Sequence, residues 1–377
     1  MRVYMNIGIT CYPTYGGSGT VATELGRNLA KRGHSVHFIT TALPYRLTSY
    51  IENIYYHEVQ VFNYPLFDYT PYSLSLASKM SQVALQEDLD LLHVHYAIPH
   101  ATSAYLAQKI VQERKRLPFI TTLHGTDITL VGHSPSYFDI TKFSIEESDA
   151  VTAVSHFLKN QTLSRFDVKK EIDFIPNFVD PERFAPKTDE HPCLAEPDEK
   201  VLMHISNFRP VKRIGDIIAV FDGVRQRIKS RLVLVGSGPE LDKARLMVNE
   251  RGIKDIVTFL GLQENVSTIL PCADLYMLIS EHESFGLTAL EAMSCGVPVI
   301  GTTGSGMDEF LGDGTAGRLF PVGDVEAMIE GCVKILSDDS LLNSLGGTGR
   351  KKVLEQYTED HVIGMYEDIY RRVLESE

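Results

Sequence analysis

The sequence predicts an α/β fold of two Rossmann-like domains, each built on a doubly wound parallel sheet. Three observations carry this. Short, near-continuous apolar runs alternate with amphipathic helical segments, the pattern of strands whose sheet is covered by helices on both faces. The pattern restarts after a polar, Pro-containing stretch at residues 185–200. The chain of 377 residues also exceeds the roughly 250–300 at which a single core stops growing.

In order, residues 3–10 read as the first strand. The Gly-rich loop Tyr15-Gly-Gly-Ser-Gly-Thr20 follows, then a helix over 21–32 and the strand HSVHFITT at 34–41. LDLLHVHY (89–96), a helix over 101–115, PFITTLHG (118–125), a helix near 139–148 and AVTAVS (150–155) continue the first domain. The second opens with VLMHISN (201–207) and a helix over 216–229, then RLVLVGSG (231–238) and a helix near 240–251. VTFLG (257–261), a short helix at 266–270, DLYMLIS (274–280), another helix and VPVIGT (297–302) complete it. Crossovers between parallel strands are expected to be right-handed. Residues 340–377 read as helical throughout. The division is therefore 1–175, 176–355, and a closing helix at 356–377 that packs back on the first domain. Two such domains are an architecture and not a function.

Lys and Arg number 36 against 49 Asp and Glu, a net charge of −13. Residues 1–175 carry 15 basic and 16 acidic side chains, the remainder 21 and 33, so almost all of the excess lies in the second domain. Neither half is basic, which argues against nucleic-acid partners and against adhesion to an anionic membrane. The cysteines Cys11, Cys193, Cys272, Cys295 and Cys332 are scattered, without CxxC spacing, as in a reducing compartment. There is no signal-peptide apolar core near the N-terminus and no membrane-length apolar run. The expectation is a cytoplasmic protein.

Gly16-Gly17-Ser18-Gly19, between a strand and a helix, would let backbone N–H groups approach an anion beside a helix N-terminus. Residues 17–22 match the dinucleotide pattern GxGxxA, yet the second strand lacks the terminal acid that holds an NAD ribose. A lone Gly-rich loop serves equally as a flexible turn. The segment from Glu281 to Gly296 is more specific. It holds Glu283 and Glu291 in an E-x7-E arrangement, and the N–H groups of Ser284, Phe285, Gly286 and Leu287 open a helix. Eight residues of helix span roughly 12 Å. The two carboxylates are thus too far apart to act as a retaining glycosidase pair, and suit the two ends of an extended ligand. SNFRPVKR places Arg209, Lys212 and Arg213 together after a strand, an apt cluster for a pyrophosphate leaving group. His124 ends a strand in TTLHGTDI. His93 and His95 could share a strand face, but no further ligand at suitable spacing joins them as a metal site.

Together, the Gly-Gly-x-Gly loop, the Arg209/Lys212 pair and the E-x7-E helix resemble the family-4 retaining glycosyltransferases of the GT-B fold, along the length of the chain. That resemblance implies a nucleotide-sugar donor whose diphosphate lies in the cleft between the domains. Glu291 would bind the ribose and Glu283 the donor sugar's hydroxyls. Residues 284–287, Gly16, Gly17, Ser18, Gly19, Asn207, Arg209, Lys212, Gly236 and Leu262 would complete the donor contacts. His124, Glu283, Arg209 and Lys212 would serve catalysis, and Ser18, Tyr96, Thr126 and Arg209 the acceptor. Closer likeness in GITCYPTYGGSGTVATELG, HYAIPHA and TTLHGTDIT implies UDP-N-acetylglucosamine as donor and L-malate as acceptor, with no metal or other cofactor. A homodimer is compatible with it. Two positions depart from the family pattern. Asn207 stands where an Arg is more usual, with Arg209 read as its substitute, and Gly304-Ser305-Gly306-Met307-Asp308-Glu309 replaces Gly-Gly-x-Pro-Glu. A family-4 glycosyltransferase with another sugar donor or with a glycan or lipid acceptor, an NAD-dependent oxidoreductase and a non-catalytic sugar-nucleotide binder are the rival readings.

Overall fold

Apolar runs with a helix after nearly every strand leave the backbone one economical solution, the parallel sheet covered on both faces. The computed structural model adopts it twice, and describes residues 4–14, 16–47, 49–62, 69–129, 131–189, 191–192 and 194–376. The chain divides into two units, Met1–Asn177 with Asp360–Glu377, and Phe178–Glu359.

The strands of the first unit are β1 (Asn6–Thr10), β2 (Ser35–Thr40), β3 (Ile54–Glu58), β4 (Leu91–His95), β5 (Phe119–Leu123), β6 (Ala150–Ala153) and β7 (Ile172–Phe174). They lie in the order β3-β2-β1-β4-β5-β6-β7, all parallel. Its helices are α1 (Gly17–Lys31), α2 (Tyr72–Gln86), α3 (Thr102–Val111), α4 (Thr126–Thr129), α5 (Pro135–Glu147) and α6 (His156–Phe166). One core cluster joins Leu76, Met80 and Val83 of α2 to Leu92 and Val94 of β4 and Phe119 of β5.

The second unit has β8 (Lys200–Ser206), β9 (Ser230–Gly236), β10 (Val257–Gly261), β11 (Leu275–Leu278), β12 (Val299–Thr302) and β13 (Gly317–Phe320) in the order β10-β9-β8-β11-β12-β13, again parallel. Its helices are α7 (Ile214–Val224), α8 (Leu241–Glu250), α9 (Leu287–Ser294), α10 (Asp308–Leu311), α11 (Val325–Leu336) and α12 (Asp339–Gln356). Ile217, Val220, Phe221 and Val224 of α7 pack on Leu232 and Leu234 of β9.

Residues 340–377 are not helical throughout. The helix stops at Tyr357, Thr358 bridges to Val179, and α13 (Glu359–Glu375) starts afresh. From Asp360 onward α13 belongs to the first unit. There Glu367 pairs with Arg32 and His34, Arg372 with Asp173, and the Tyr370 hydroxyl meets His93 Nδ1 at 2.7 Å. The helix expected at 266–270 is instead two short 3₁₀ turns, Val266–Thr268 and Leu270–Cys272, because Pro271 cannot continue an α-helix. Among the described residues no helix is long and apolar enough to cross a membrane.

Candidate active site

In the first unit the sheet order reverses between β1 and β4, the point where ligands gather at the C-terminal ends of parallel strands. Beyond the ends of β1, β4 and β5 lie Ser18 at the start of α1, Tyr96, and His124 with Thr126 at the start of α4. The glycine run does not form a loop before a helix at residue 21. Gly16 caps α1 with extended backbone, and Gly17, Ser18 and Gly19 form the helix's first turn. At Gly19 a Cβ would stand 2.7 Å from the Tyr12 carbonyl oxygen and 2.8 Å from that of Thr14, so only glycine lets that turn seat against the β1 loop. Gly16 and Gly17 face open space.

Three of the residues expected at the acceptor come together here. The Tyr96 phenol donates to Ser18 Oγ at 2.7 Å and also interacts with the Thr126 side chain. Tyr96 sits at φ 89°. Its neighbour Ala97 donates its N–H to Asp127 Oδ2 at 2.9 Å, and Gly125 donates to Oδ1 at 3.0 Å. Asp127 therefore ties the β4 and β5 loops together, a role that the sequence reading missed. An acid in the first turn of the short α4 was the signal available. Burial pushes its carboxyl up to about 6, against the pull of those N–H groups.

His124 is half-buried, with Nε2 2.8 Å from His95 Nδ1. His95 in turn stacks on His93, ring centroids 4.6 Å apart. Burial pushes His124 and His93 down to about 3 and holds His95 well below the ordinary imidazole value, so all three are neutral near pH 7. His93 and His95 do share a face. They hydrogen-bond to Tyr370 and His124, and among the described residues no group of three His, Cys, Asp or Glu is placed to hold a metal.

In the second unit the reversal lies between β8 and β11. Parallel topology brings to one sheet edge Asn207 and Arg209 after β8, Gly236 ending β9, Leu262 after β10, and residues 281–286 after β11. Lys212 Nζ donates to Glu283 Oε2 at 2.7 Å, both side chains less than one-fifth exposed. Arg213 is turned away onto Asp216. Arg209 and Asn207 are exposed, and Arg209 has no ion pair among the described residues. Glu283 lies in a loop whose carbonyl accepts the Gly306 N–H at 2.8 Å.

Gly286 caps α9 at φ 96°, where a side chain would be strained and would strike Met307, so the N-terminal N–H groups of α9 stay uncovered by a Cβ. Phe285 turns inward against Phe310, while Ser284 and Leu287 are half-buried beside the helix start. Glu291, on α9, is 4% exposed. At the unusual Gly304-Ser305 turn, Asp308 Oδ2 accepts both backbone N–H groups and Ser305 Oγ bonds the Thr302 carbonyl, so the departing residues supply their own bracing.

A family model of Glycosyltransferase Family 4 matches residues 15–183, and one of Glycosyl transferases group 1 matches 187–352. The chain is 48% identical over 374 residues to the N-acetyl-alpha-D-glucosaminyl L-malate synthase of Bacillus anthracis, covering 98% of this chain and 97% of that protein. This chain is a family-4 glycosyltransferase. Solved structures show the GT-B fold. Sucrose-phosphate synthase from Thermosynechococcus elongatus superposes with a TM-score of 0.82 at 21% identity, covering 99% of this chain and all of that one. HepE from Anabaena, solved with UDP and glucose, gives 0.81 at 18%, covering 97% and 99%.

For a glycosyltransferase the chemistry available is specific. The second unit offers two cations, Lys212 and Arg209, and the positive end of α9 to charge that builds on a leaving group. Glu283 pairs with Lys212 at that edge. The first unit offers uncharged donors and acceptors around Ser18, Tyr96, Thr126 and His124.

Proposed function

We propose that this enzyme moves N-acetylglucosamine from UDP-N-acetylglucosamine to the hydroxyl of L-malate, giving the α-glycoside with retained configuration and releasing UDP, the first step of bacillithiol biosynthesis. The observation that carries the reading is the 48% identity, sustained over 98% of the chain, to a protein named for that product. The half-buried Lys212–Glu283 pair beside the N-terminus of α9 supports it.

In this reading Lys212, Arg209 and the α9 N–H groups hold the diphosphate, with Asn207, Gly236 and Leu262 along the same sheet edge. Glu291 takes the ribose hydroxyls, and its burial gives those hydrogen bonds a low-dielectric setting. Glu283 and His124 take hydroxyls of the transferred sugar. Gly16, Gly17, Ser18 and Gly19 add N–H groups for anionic oxygens, and Ser18, Tyr96, Thr126 and Arg209 receive malate. The reaction proceeds on the front face. The bond from the anomeric carbon to the β-phosphate oxygen breaks as the malate oxygen bonds to that carbon, and the malate hydroxyl proton passes to the departing phosphate. The cations and N–H groups carry the developing charge, so no metal is required. The reaction is placed in the cytoplasm, in keeping with the free, buried thiols of Cys11, Cys272, Cys295 and Cys332.

Incubation with UDP-N-acetylglucosamine and L-malate in the presence of a chelator, followed by mass spectrometry, tests this. N-acetylglucosaminyl-malate stoichiometric with UDP is expected. UDP without that product would remove malate as acceptor, and a requirement for added metal would overturn the charge assignment.

A further inference from the structure

We infer that His95 is a positioning residue that holds His124 as its Nδ1–H tautomer, so that His124 presents a neutral hydrogen-bond donor. This rests on the reading that His124 meets the donor sugar, and adds a residue that does not itself reach substrate.

The argument starts from the 2.8 Å contact between His95 Nδ1 and His124 Nε2. Both rings are neutral, so one nitrogen carries the shared proton and the other a lone pair. Only two arrangements exist. If His124 donates from Nε2, His95 must carry its proton on Nε2. That atom is buried and has no hydrogen-bond partner among the described residues, so an N–H group would be orphaned there. If His95 donates from Nδ1, its Nε2 keeps only a bare lone pair. Orphaned buried N–H groups are the rarer defect in proteins, which favours the second arrangement. His124 then accepts at Nε2 and carries its proton on Nδ1. Free neutral histidine prefers the Nε2–H form, so the structure imposes the less common tautomer on the ring that faces chemistry.

The surroundings keep His95 from swivelling out of this role. His93 stacks on it at 24°, and His93 is itself fixed by Tyr370 at Nδ1 and by Thr122 Oγ1 at Nε2, each at 2.7 Å. The backbone carbonyl of His95 accepts from His100 Nδ1. Tyr370 lies on α13, so the far C-terminal helix of the chain braces a residue of the first unit's switch point. The rings of His95 and His124 lie 5.0 Å apart and 26° from coplanar.

The test reads the tautomer directly. Full-length protein with ¹⁵N-labelled histidine is examined without substrate near pH 7 by two-bond proton–nitrogen correlation, with His124 assigned by its own substitution. The wild type is expected to show His124 protonated at Nδ1. His95→Phe keeps the stacking surface and removes the donor, and should return His124 to Nε2–H while kcat with UDP-N-acetylglucosamine and L-malate falls roughly tenfold, the worth of about one hydrogen bond. His95→Asn, whose amide nitrogen lies near the position of Nδ1, should restore both. An Nε2–H His124 in the wild type overturns the inference, and so does a tautomer unchanged in His95→Phe. A tautomer that responds as expected while kcat stays constant upholds the inference and instead removes His124 from the donor contacts.

Discussion

The two units share one topology and arm the same sheet edge with opposite chemistry. Where the first unit's strand order reverses, the structure gathers phenols and neutral imidazoles around one buried acid, Asp127. At the equivalent edge of the second unit it gathers Lys212, Glu283, Arg209 and a helix N-terminus. The sequence-wide charge balance runs the other way to the local one, since the second half holds nearly all of the net −13 and also the cations beside α9. A diphosphate leaves with growing negative charge and needs fixed positive groups. A hydroxyl acceptor and a sugar need directional donors whose protonation does not drift. One fold can carry both sets of groups because its loops, and not its sheet, hold the difference.

Acidification should separate the units most strongly. His93 and His124 are held at about 3, His37 and His100 at about 4, and His95 well below the ordinary value, all by burial. In the second unit only His204, at about 4, shows such a lowering among the described residues. A base whose folded pKa is depressed stabilises the fold above its unfolded pKa of about 6.5 and loses that contribution as pH falls toward the folded value. Each such group gives up about 1.4 kcal/mol per pH unit in that window. Asp127 opposes them, since a carboxyl raised to about 6 favours the fold as it protonates below that pH, but it is one group against six, His57 being lowered by burial as well. Between pH 6.5 and 4 the first unit should therefore lose several kcal/mol more than the second. Hydrogen exchange followed by peptide mass analysis from pH 7 to 4.5 should show β1, β4 and β5 losing protection first. Earlier loss in β8, β9 and β11 would break the comparison.

Next in size is the ion pair. Lys212→Ala should lower kcat by about 10²–10³, the cost of removing one preorganised group from a developing anion. Glu283→Gln should also cost activity. Because the two side chains touch at 2.7 Å, the double variant should lose less than the two single losses multiplied together. Steady-state UDP release measures all three. Strict additivity would show that Lys212 and Glu283 act separately, and that the charged edge is not one unit.

How much of this was legible in the sequence follows from what each residue does locally. The central strands were readable because burial on both faces makes them continuous apolar runs, as in LDLLHVHY and RLVLVGSG. β3 was not. IYYHE is an edge strand with Tyr55, Tyr56 and Glu58 exposed, so it shows no such run. The break between α12 and α13 carries no Pro or Gly and arises from tertiary pairing, with Tyr357 buried and Thr358 bridged to Val179. At the site, Glu283 and Lys212 stood out as charges after a strand, and Glu291 through its E-x7-E spacing from Glu283, all local signals. The partners of His124 did not. His95 lies 29 residues away on the adjacent strand, and only the parallel register of β4 with β5 brings the rings together. Glycine's poor helix propensity likewise delayed the expected start of α1, whereas the close approach at Gly19 is a tertiary fact.

The smallest expected effect asks whether the neutral edge truly serves the acceptor. Tyr96→Phe keeps the ring, which packs near Tyr12 at 5.4 Å and His124 at 5.4 Å, and removes only the hydroxyl that donates to Ser18. The backbone at φ 89° is as strained for Phe as for Tyr, so folding should change little. One neutral hydrogen bond is worth about 0.5–1.5 kcal/mol, which corresponds to a rise of roughly two- to thirteenfold in KM for L-malate. KM for UDP-N-acetylglucosamine and kcat should stay within about twofold, because a contact made equally in ground and transition state alters binding and not turnover. Ser18→Ala should repeat the pattern, since it removes the other half of the same contact. If donor KM rises instead, then Ser18 and the first turn of α1 belong to the diphosphate, and the first unit's edge divides its work between both substrates.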